Sequence, residues 1–259
     1  MKKILSLALA VLLIATLFAG CGSKETSDLK TIQKNGKIVV GITDYAPMDY
    51  KDENGEWTGF DAEFARLFAE ELKVDCEFFV IADWGKKFME LDTKQIDAVW
   101  NGMTITEEAT LNASVSDPYV VNAQVLVMKA DAVANYADAA SITGLAVAVE
   151  NGSAGQTAAE DAGVENIILV QDQAAALMEV AAGTSDACVI DITMANAMTG
   201  EGTSYADLGY GLSLTSEEYG VAFRKDSDMT AKFNTFMDKL IADGTLQALA
   251  DKYSLTLAG

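Results

Sequence analysis

Several stretches of this chain place ligand-gripping side chains where a strand should end. The first is Asn101-Gly102-Met103-Thr104-Ile105-Thr106, which follows the apolar run 96–99 and precedes Glu107-Glu108-Ala109. An apolar run bounded in this way reads as a buried strand, the turn after it as a strand end, and Glu107 as the start of a helix. Two hydroxyls, a glycine that lets backbone approach closely and the free amides of a helix start form a cradle for an anionic group. The competing reading is an ordinary cap and turn. Gly152-Ser153-Ala154, ahead of a helix predicted over 156–162, is a second cradle of the same kind.

The remaining strand ends carry carboxylates and rings. Asp191 follows the apolar run 187–190, where a charge must be exposed or paired. Glu150 follows 145–149, Trp84 opens a helix just after 78–81, and Asp44 and Tyr45 follow 37–43. An indole covers an aliphatic stem or a cation equally well, so Trp84 and Tyr45 read either as walls of a site or as core. Asp191 and Asp44 read either as ligand contacts or as structural caps, and Glu150 as a contact or as solvated surface. Asn101 is placed to donate to a ligand or accept from one, while Trp100, alternating with Val99, faces either side of the sheet.

The elements that must position these residues recur. Strand 37–43 leads to a helix capped by Asp61, with Phe64, Leu67, Phe68 and Leu72 at helical spacing, then strand 78–81, a helix from Trp84 to about residue 91, and strand 96–100. Strand 145–149, helix 156–162, strand 167–170, helix 172–182 and strand 187–190 repeat the order. Strand–helix alternation implies parallel sheets with right-handed crossovers. Met89-Glu90 and Asp97-Ala98 have the separation of Met178-Glu179 and Asp186-Ala187, a constant offset of 89 that pairs Gly102 with Asp191. Segment 120–128 is predicted to cross from the first half to the second and 218–223 to return. The result is two α/β lobes, 29–121 with 219–259 and 122–218, joined by a two-strand hinge that closes them on a shared cleft. Helices over 229–241 and 245–253 complete the first lobe.

Residues 1–20 carry Lys2 and Lys3 ahead of an apolar run over 4–19, too short to favour a membrane span, and Ala19-Gly20-Cys21 supplies the small residues and cysteine of a lipoprotein cleavage site. The reading is a signal peptide over 1–20, lipid on Cys21 and a flexible tether over 21–28, with a stay-in anchor as the alternative. Against 18 basic side chains stand 39 acidic ones, a net charge of −21 that argues against nucleic acid and anionic lipid surfaces as partners. The chain has no histidine and no close cysteine pair, so no metal centre or cofactor is expected. Cys76 and Cys188 lie in apolar runs of separate halves and are expected to be buried and free.

The string Gly102-Met103-Thr104-Ile105-Thr106-Glu107-Glu108, followed by Ser116-Asp117-Pro118-Tyr119, resembles the signature of bacterial solute-binding protein family 3, the extracellular receptors of polar amino-acid ABC transporters. The similarity extends from about 36 to 253. It implies a periplasmic-binding-protein-like fold. It also implies a monomer held at the extracellular face of the membrane or in the periplasm, which passes a small amino acid or related amine to an ABC permease. By the same resemblance Asp191 holds the ligand's α-ammonium, Trp84 packs on its side chain and Glu150 points at that side chain.

One departure matters. The family's arginine, three residues after the second threonine, is Ala109 here, and a bidentate arginine–carboxylate pair is hard to replace. Arg66 reads as lying on the exposed side of its helix, and Arg224 sits beside Lys225. A ligand carboxylate would then rest on amides and hydroxyls of Met103, Thr104 and Ser153, or on Lys86 or Lys87 beside Trp84. Otherwise the ligand carries little negative charge, and Asp44, Glu150 and Asp191 tilt the cleft toward an amine. An enzyme on the same scaffold, dehydratase-like, and a ligand-sensing subunit are the alternatives to a transport receptor.

Overall fold

The apolar run starting at Lys37 becomes the interior strand of a sheet because neighbours cover it on both sides. In the computed structural model, which describes residues 27–259, the first half runs α1 (Asp28–Asn35), β1 (Lys37–Ile42), the hairpin β2 (Tyr50–Lys51) and β3 (Trp57–Thr58), α2 (Phe60–Leu72), β4 (Asp75–Val80), α3 (Lys87–Asp92), β5 (Ala98–Val99), α4 (Glu107–Asn112) and β6 (Ser114–Val115). The chain leaves through β7 (Val120–Asn122). The second half follows with β8 (Gln124–Lys129), β9 (Ala146–Glu150), α5 (Ala154–Asp161), β10 (Asn166–Val170), α6 (Gln173–Ala182), β11 (Ala187–Asp191), α7 (Ile192–Met198) and β12 (Leu208–Ser213). The return is β13 (Glu217–Tyr219), then β14 (Ala222–Phe223), α8 (Met229–Ala242) and α9 (Thr245–Lys252).

Two five-stranded sheets result, in the orders β4-β1-β5-β14-β6 and β10-β9-β11-β8-β12. Their arrangements match. In each, three parallel strands are extended by two antiparallel pairings, so the sheets are less uniformly parallel than strand–helix alternation implies. β14 and β8, the strands added antiparallel, each follow a crossing and enter from the opposite end. The crossing itself is short: β7 pairs antiparallel with β13 over three residues, while 124–128, expected as part of the crossing, belongs to β8 of the second sheet.

The offset of 89 is visible in the backbone. Asp97 Oδ2 accepts from Val39 N at 3.0 Å, and Asp186 Oδ2 accepts from Ala146 N at 2.8 Å. In both halves the same aspartate returns its own N–H to that residue's carbonyl. Lys94 and Gly183, 89 apart, both adopt a positive φ. Corresponding strands therefore start in register and aim their far ends at the same seam.

The tether expected over 21–28 ends early, because Ser27 caps α1 by accepting from Lys30 N and Asp28 begins the helix. The signal peptide and Cys21 lie outside the described residues. Among those described, no helix is long and apolar enough to cross a membrane. Asp61 does not cap α2, whose N-cap is Gly59. It sits fully buried in the first turn, accepting from Gly102 N at 2.6 Å and Tyr119 Oη at 2.8 Å. The tight turn at Gly59 brings the backbone of Pro47 and Met48 against the helix start and leaves no need for a side-chain cap.

Phe64 is the hub of the first core. Its ring centroid lies 5.0 Å from Trp100, 5.4 Å from Phe233, 6.0 Å from Tyr119 and 6.1 Å from Phe236, joining α2 to the end of β5 and to α8. Phe64→Ala should cost about 3–5 kcal/mol in urea unfolding, the range for removing a fully buried ring from a core that cannot collapse around the gap. A loss under about 1 kcal/mol would show that the core closes over it.

Candidate functional site

Between the two sheets lies a cleft of about 460 Å³. β9 ends at Glu150 and β11 at Asp191, so the second half presents two carboxylates from neighbouring strand ends. The first half answers with Trp84, Lys87 and the turn after β5. The lobes touch at the cleft's rim. Asn151 Nδ2 donates to Asp83 Oδ1 at 3.0 Å, and Lys87 Nζ donates across to the Gly152 carbonyl at 3.1 Å. Gly152, with φ +73°, approaches so closely that a Cβ there would lie 2.5 Å from the Gly85 Cα.

Asp191 is 4% exposed, and the side-chain amides of Asn122, Gln124 and Gln173 all donate to it. Glu217 on β13 shares two of those amides. Its Oε2 accepts from Gln124 Nε2 at 3.0 Å, Asn122 Nδ2 at 3.1 Å and the Thr104 hydroxyl at 2.9 Å. Glu150 is also 4% exposed, and its Oε1 has no partner; the side-chain carbonyls of Asn122 and Gln124 are likewise open. Buried acceptors of this kind are costly unless a donor meets them, so the cleft calls for N–H or O–H groups. Burial pushes the Glu150 carboxyl up to about 8, with the charges of Asp191 and Asp172 adding to the effect. Asp191 is pushed up to about 6 by burial first and Glu217 next.

The structure distributes the remaining candidates unevenly. Asn101 is held by Thr43, accepting from its N and donating to its hydroxyl, both at 2.7 Å. Gly102, at φ +55°, turns its amide away from the cleft into Asp61. Met103 is buried, with its carbonyl accepting from Gly220 N at 2.9 Å, and Thr106 caps α4 through Ala109 N. Ser153 caps α5 by accepting from Gln156 N at 3.1 Å, and both it and Ala154 line the cleft wall. Trp84, 7% exposed, forms the wall facing them.

Asp44 and Tyr45 do not line this cleft. Asp44 borders a separate hollow of about 290 Å³ with Lys51, Trp57 and Asp172. Tyr45 is folded inward by the turn to Asp49, and its hydroxyl meets Thr193 and Tyr219. Arg66 is half-buried rather than on an exposed face, donating to the Trp57 carbonyl at 2.6 Å over the Phe78 ring. Arg224 pairs with Asp28 and Asp97. Lys86 turns to Asp83, leaving Lys87 as the basic side chain in the cleft lining. Gln124, Gln173 and Glu217 were not foreseen. Asn122 and Gln124 had a signal, two polar residues at period two inside an apolar run, which puts both side chains on one face of a strand.

Glu150, Asp191 and Asp61 have native values of about 8, 6 and 7, each above its ordinary 4.5 or 3.8. Between those limits the unfolded chain has lost a proton that the native protein keeps, so stability falls as pH rises. The ligand-free protein should melt higher at pH 5 than at pH 8 by calorimetry, and Glu150→Gln should flatten the slope above pH 6. A melting temperature rising over that range would contradict the assignment. Gly152→Ala should also hold the lobes apart, lowering affinity for whatever the cleft binds. Gly85→Ala, whose Cβ would meet nothing nearer than 3.3 Å, should do so far less. Equal effects of the two on small-angle scattering radius would remove the rim contact from the closing mechanism.

Residues 38–256 match the bacterial extracellular solute-binding proteins, family 3. The L-arginine-binding protein of Pseudomonas aeruginosa is 31% identical over 87% of this chain and 90% of its own length. The ABC transporter glutamine-binding protein GlnH of Bacillus subtilis is 29% identical over 98% and 97%. Among solved structures, a mutant of ArgBP from T. maritima superposes with a TM-score of 0.81 at 30% identity, covering 87% of this chain and 98% of that one. The ancestral amino acid-binding protein AncCDT-1, a precursor of cyclohexadienyl dehydratase, gives 0.79 at 32% identity, covering 88% and 99%. This chain belongs to the bacterial extracellular solute-binding proteins, family 3.

Proposed function

We propose that the protein captures a small amino acid or related amine between its lobes and presents it, with the lobes closed, to an ABC permease. The observation that carries this reading is Asp191, a buried carboxylate at a strand end opening into the interlobe cleft, flanked by the unpartnered Glu150 oxygen. A positively charged nitrogen meets both needs at once, because it supplies donors to open acceptors and charge to desolvated carboxylates. The lobes are 29–121 with 219–259 and 122–218. The receptor acts as a monomer, tethered by lipid on Cys21 at the extracellular face of the membrane or in the periplasm, and is not an enzyme. Relatives named as arginine- and glutamine-binding proteins support the ligand class.

Asp191→Ala should weaken the ligand found by thermal-shift screening of the twenty L-amino acids and simple amines. The expected loss is about 2–5 kcal/mol, some thirtyfold to several thousandfold in affinity. Calorimetry showing less than a threefold loss would remove Asp191 from the ammonium-anchoring role. A dehydratase-like enzyme is the second reading, drawn from the likeness to an ancestral precursor of such an enzyme. Product released from prephenate-like acids by the purified protein would decide for it.

A further inference from the structure

Lys87 is a buried ammonium that forms no ion pair among the described residues. It is 5% exposed and lines the cleft, yet among the described residues its hydrogen-bond partners are two neutral carbonyls, Trp84 O at 3.4 Å and Gly152 O at 3.1 Å. Its neighbour Lys86 is paired with Asp83 at the rim, but among the described residues no carboxylate oxygen approaches Lys87 within ion-pairing distance. Charged groups buried to this degree are ordinarily paired, because isolated burial is expensive. Two acids of the cleft lining, Glu108 first and then Glu150, act on Lys87 through their charge, but among the described residues neither comes within ion-pairing distance of it, and burial pushes Glu150 itself up to about 8. The two ring faces beneath the lysine, Trp84 at 5.1 Å and Phe88 at 4.9 Å, hold the ammonium in place without neutralising it.

The missing partner has a place to sit. Lys87 Nζ reaches the second lobe at Gly152, two residues before α5 begins, and Ser153 and Ala154 at that helix start line the same cavity. An anion beside Nζ would meet the lysine from one lobe and the helix start from the other. Trp84 and Phe88, the rings under the ammonium, belong to the same apolar cluster as Ala109. We propose that Lys87 is the specificity-determining cation of the cleft, gripping a carboxylate of the bound ligand across the two lobes. This rests on the amino-acid or amine reading above, and it selects the amino acid from the two. It also bridges the lobes, since a ligand held by Lys87 and Asp191 joins the first half to the second.

The test is calorimetry of the wild-type protein, Lys87→Met and Lys87→Arg with the twenty L-amino acids, each alongside its decarboxylated amine and its amide. Wild type should bind at least one amino acid ten times more tightly than the matching amine and amide. That preference ratio should fall at least tenfold in Lys87→Met and be largely restored in Lys87→Arg, with ligand-free melting of each variant as the control for folding. A purely structural lysine would lower the affinity for amino acid and amine together and leave the ratio unchanged, which would overturn the assignment. A wild-type protein that bound amines as tightly as amino acids would overturn it too, while leaving the wider reading intact. Binding to no member of the panel would overturn both.

Discussion

Burying charge in the seam between two lobes is the constraint around which the rest of this protein is arranged. Asp191 and Glu217 are both acceptors, and the amides of Asn122 and Gln124 stand between them, each donating to both carboxylates. A side-chain NH₂ has two donors, so one amide group serves both acids, while its carbonyl needs a donor of its own, and in both amides that carbonyl is open. The open acceptors thus sit on the amides between the acids, of which Gln124 lines the cleft. The same packing lifts Glu150 toward its neutral form, because a third ionised carboxylate beside Asp191 would meet little water and like charge.

The duplicated frame explains how such a seam is built from both sides. Asp97 and Asp186 tie their strands to the neighbouring strand in the same way, so the strand ends they lead to arrive at equivalent places. At those ends the halves diverge. Gly102 turns its amide back into Asp61, making the first half's strand end a fixed backbone surface, whereas its counterpart Asp191 projects a carboxylate into the cleft. One side supplies shape and the other supplies charge. Asp61, buried with one oxygen bonded twice and the other open, is the cost of holding that surface still.

Much of this arrangement was legible in the sequence, and the reasons it was differ from residue to residue. The alternation of strands and helices and the offset of 89 follow from periodicity and spacing, which are local properties, whereas the antiparallel strands added to each sheet do not. Asp191 was legible because an acid directly after an apolar strand has few places to go. What the sequence concealed was partner choice. Thr106 caps a helix, Asn101 is spent on Thr43, and Tyr45 bonds across the lobes, although all three carry groups that could equally have faced a ligand. Arg66 looked exposed by helical spacing, but the Trp57 carbonyl and Phe78 ring come from elements the spacing does not describe. Gln173 and Glu217 had no local signal, since their partner Asp191 or its amides lie on other strands.

Closure follows from how little holds the rim. The interlobe polar contacts of side chains among the described residues include the Asn151–Asp83 bond, the Lys87–Gly152 bond, the Thr104–Glu217 bond and the hydroxyls of Tyr45 and Tyr219 on Thr193. Bonds of this type each contribute about 0.5–1.5 kcal/mol net, and an accessible one such as Asn151–Asp83 falls at the low end. Together they favour closure by several kcal/mol, while closing buries Lys87, Asp191 and Glu150 away from water at a cost that opposes it. In an empty cleft the hydrogen bonds across the lobes and the burial of charge therefore oppose one another. A ligand that answers the buried acids in one lobe and the buried ammonium in the other removes the cost of closing from both sides, and shifts the equilibrium toward closure by its differential affinity for that state. On the ligand reading proposed above, the groups that choose the ligand are also the groups that resist closure without it, which makes recognition and lobe movement one energetic event.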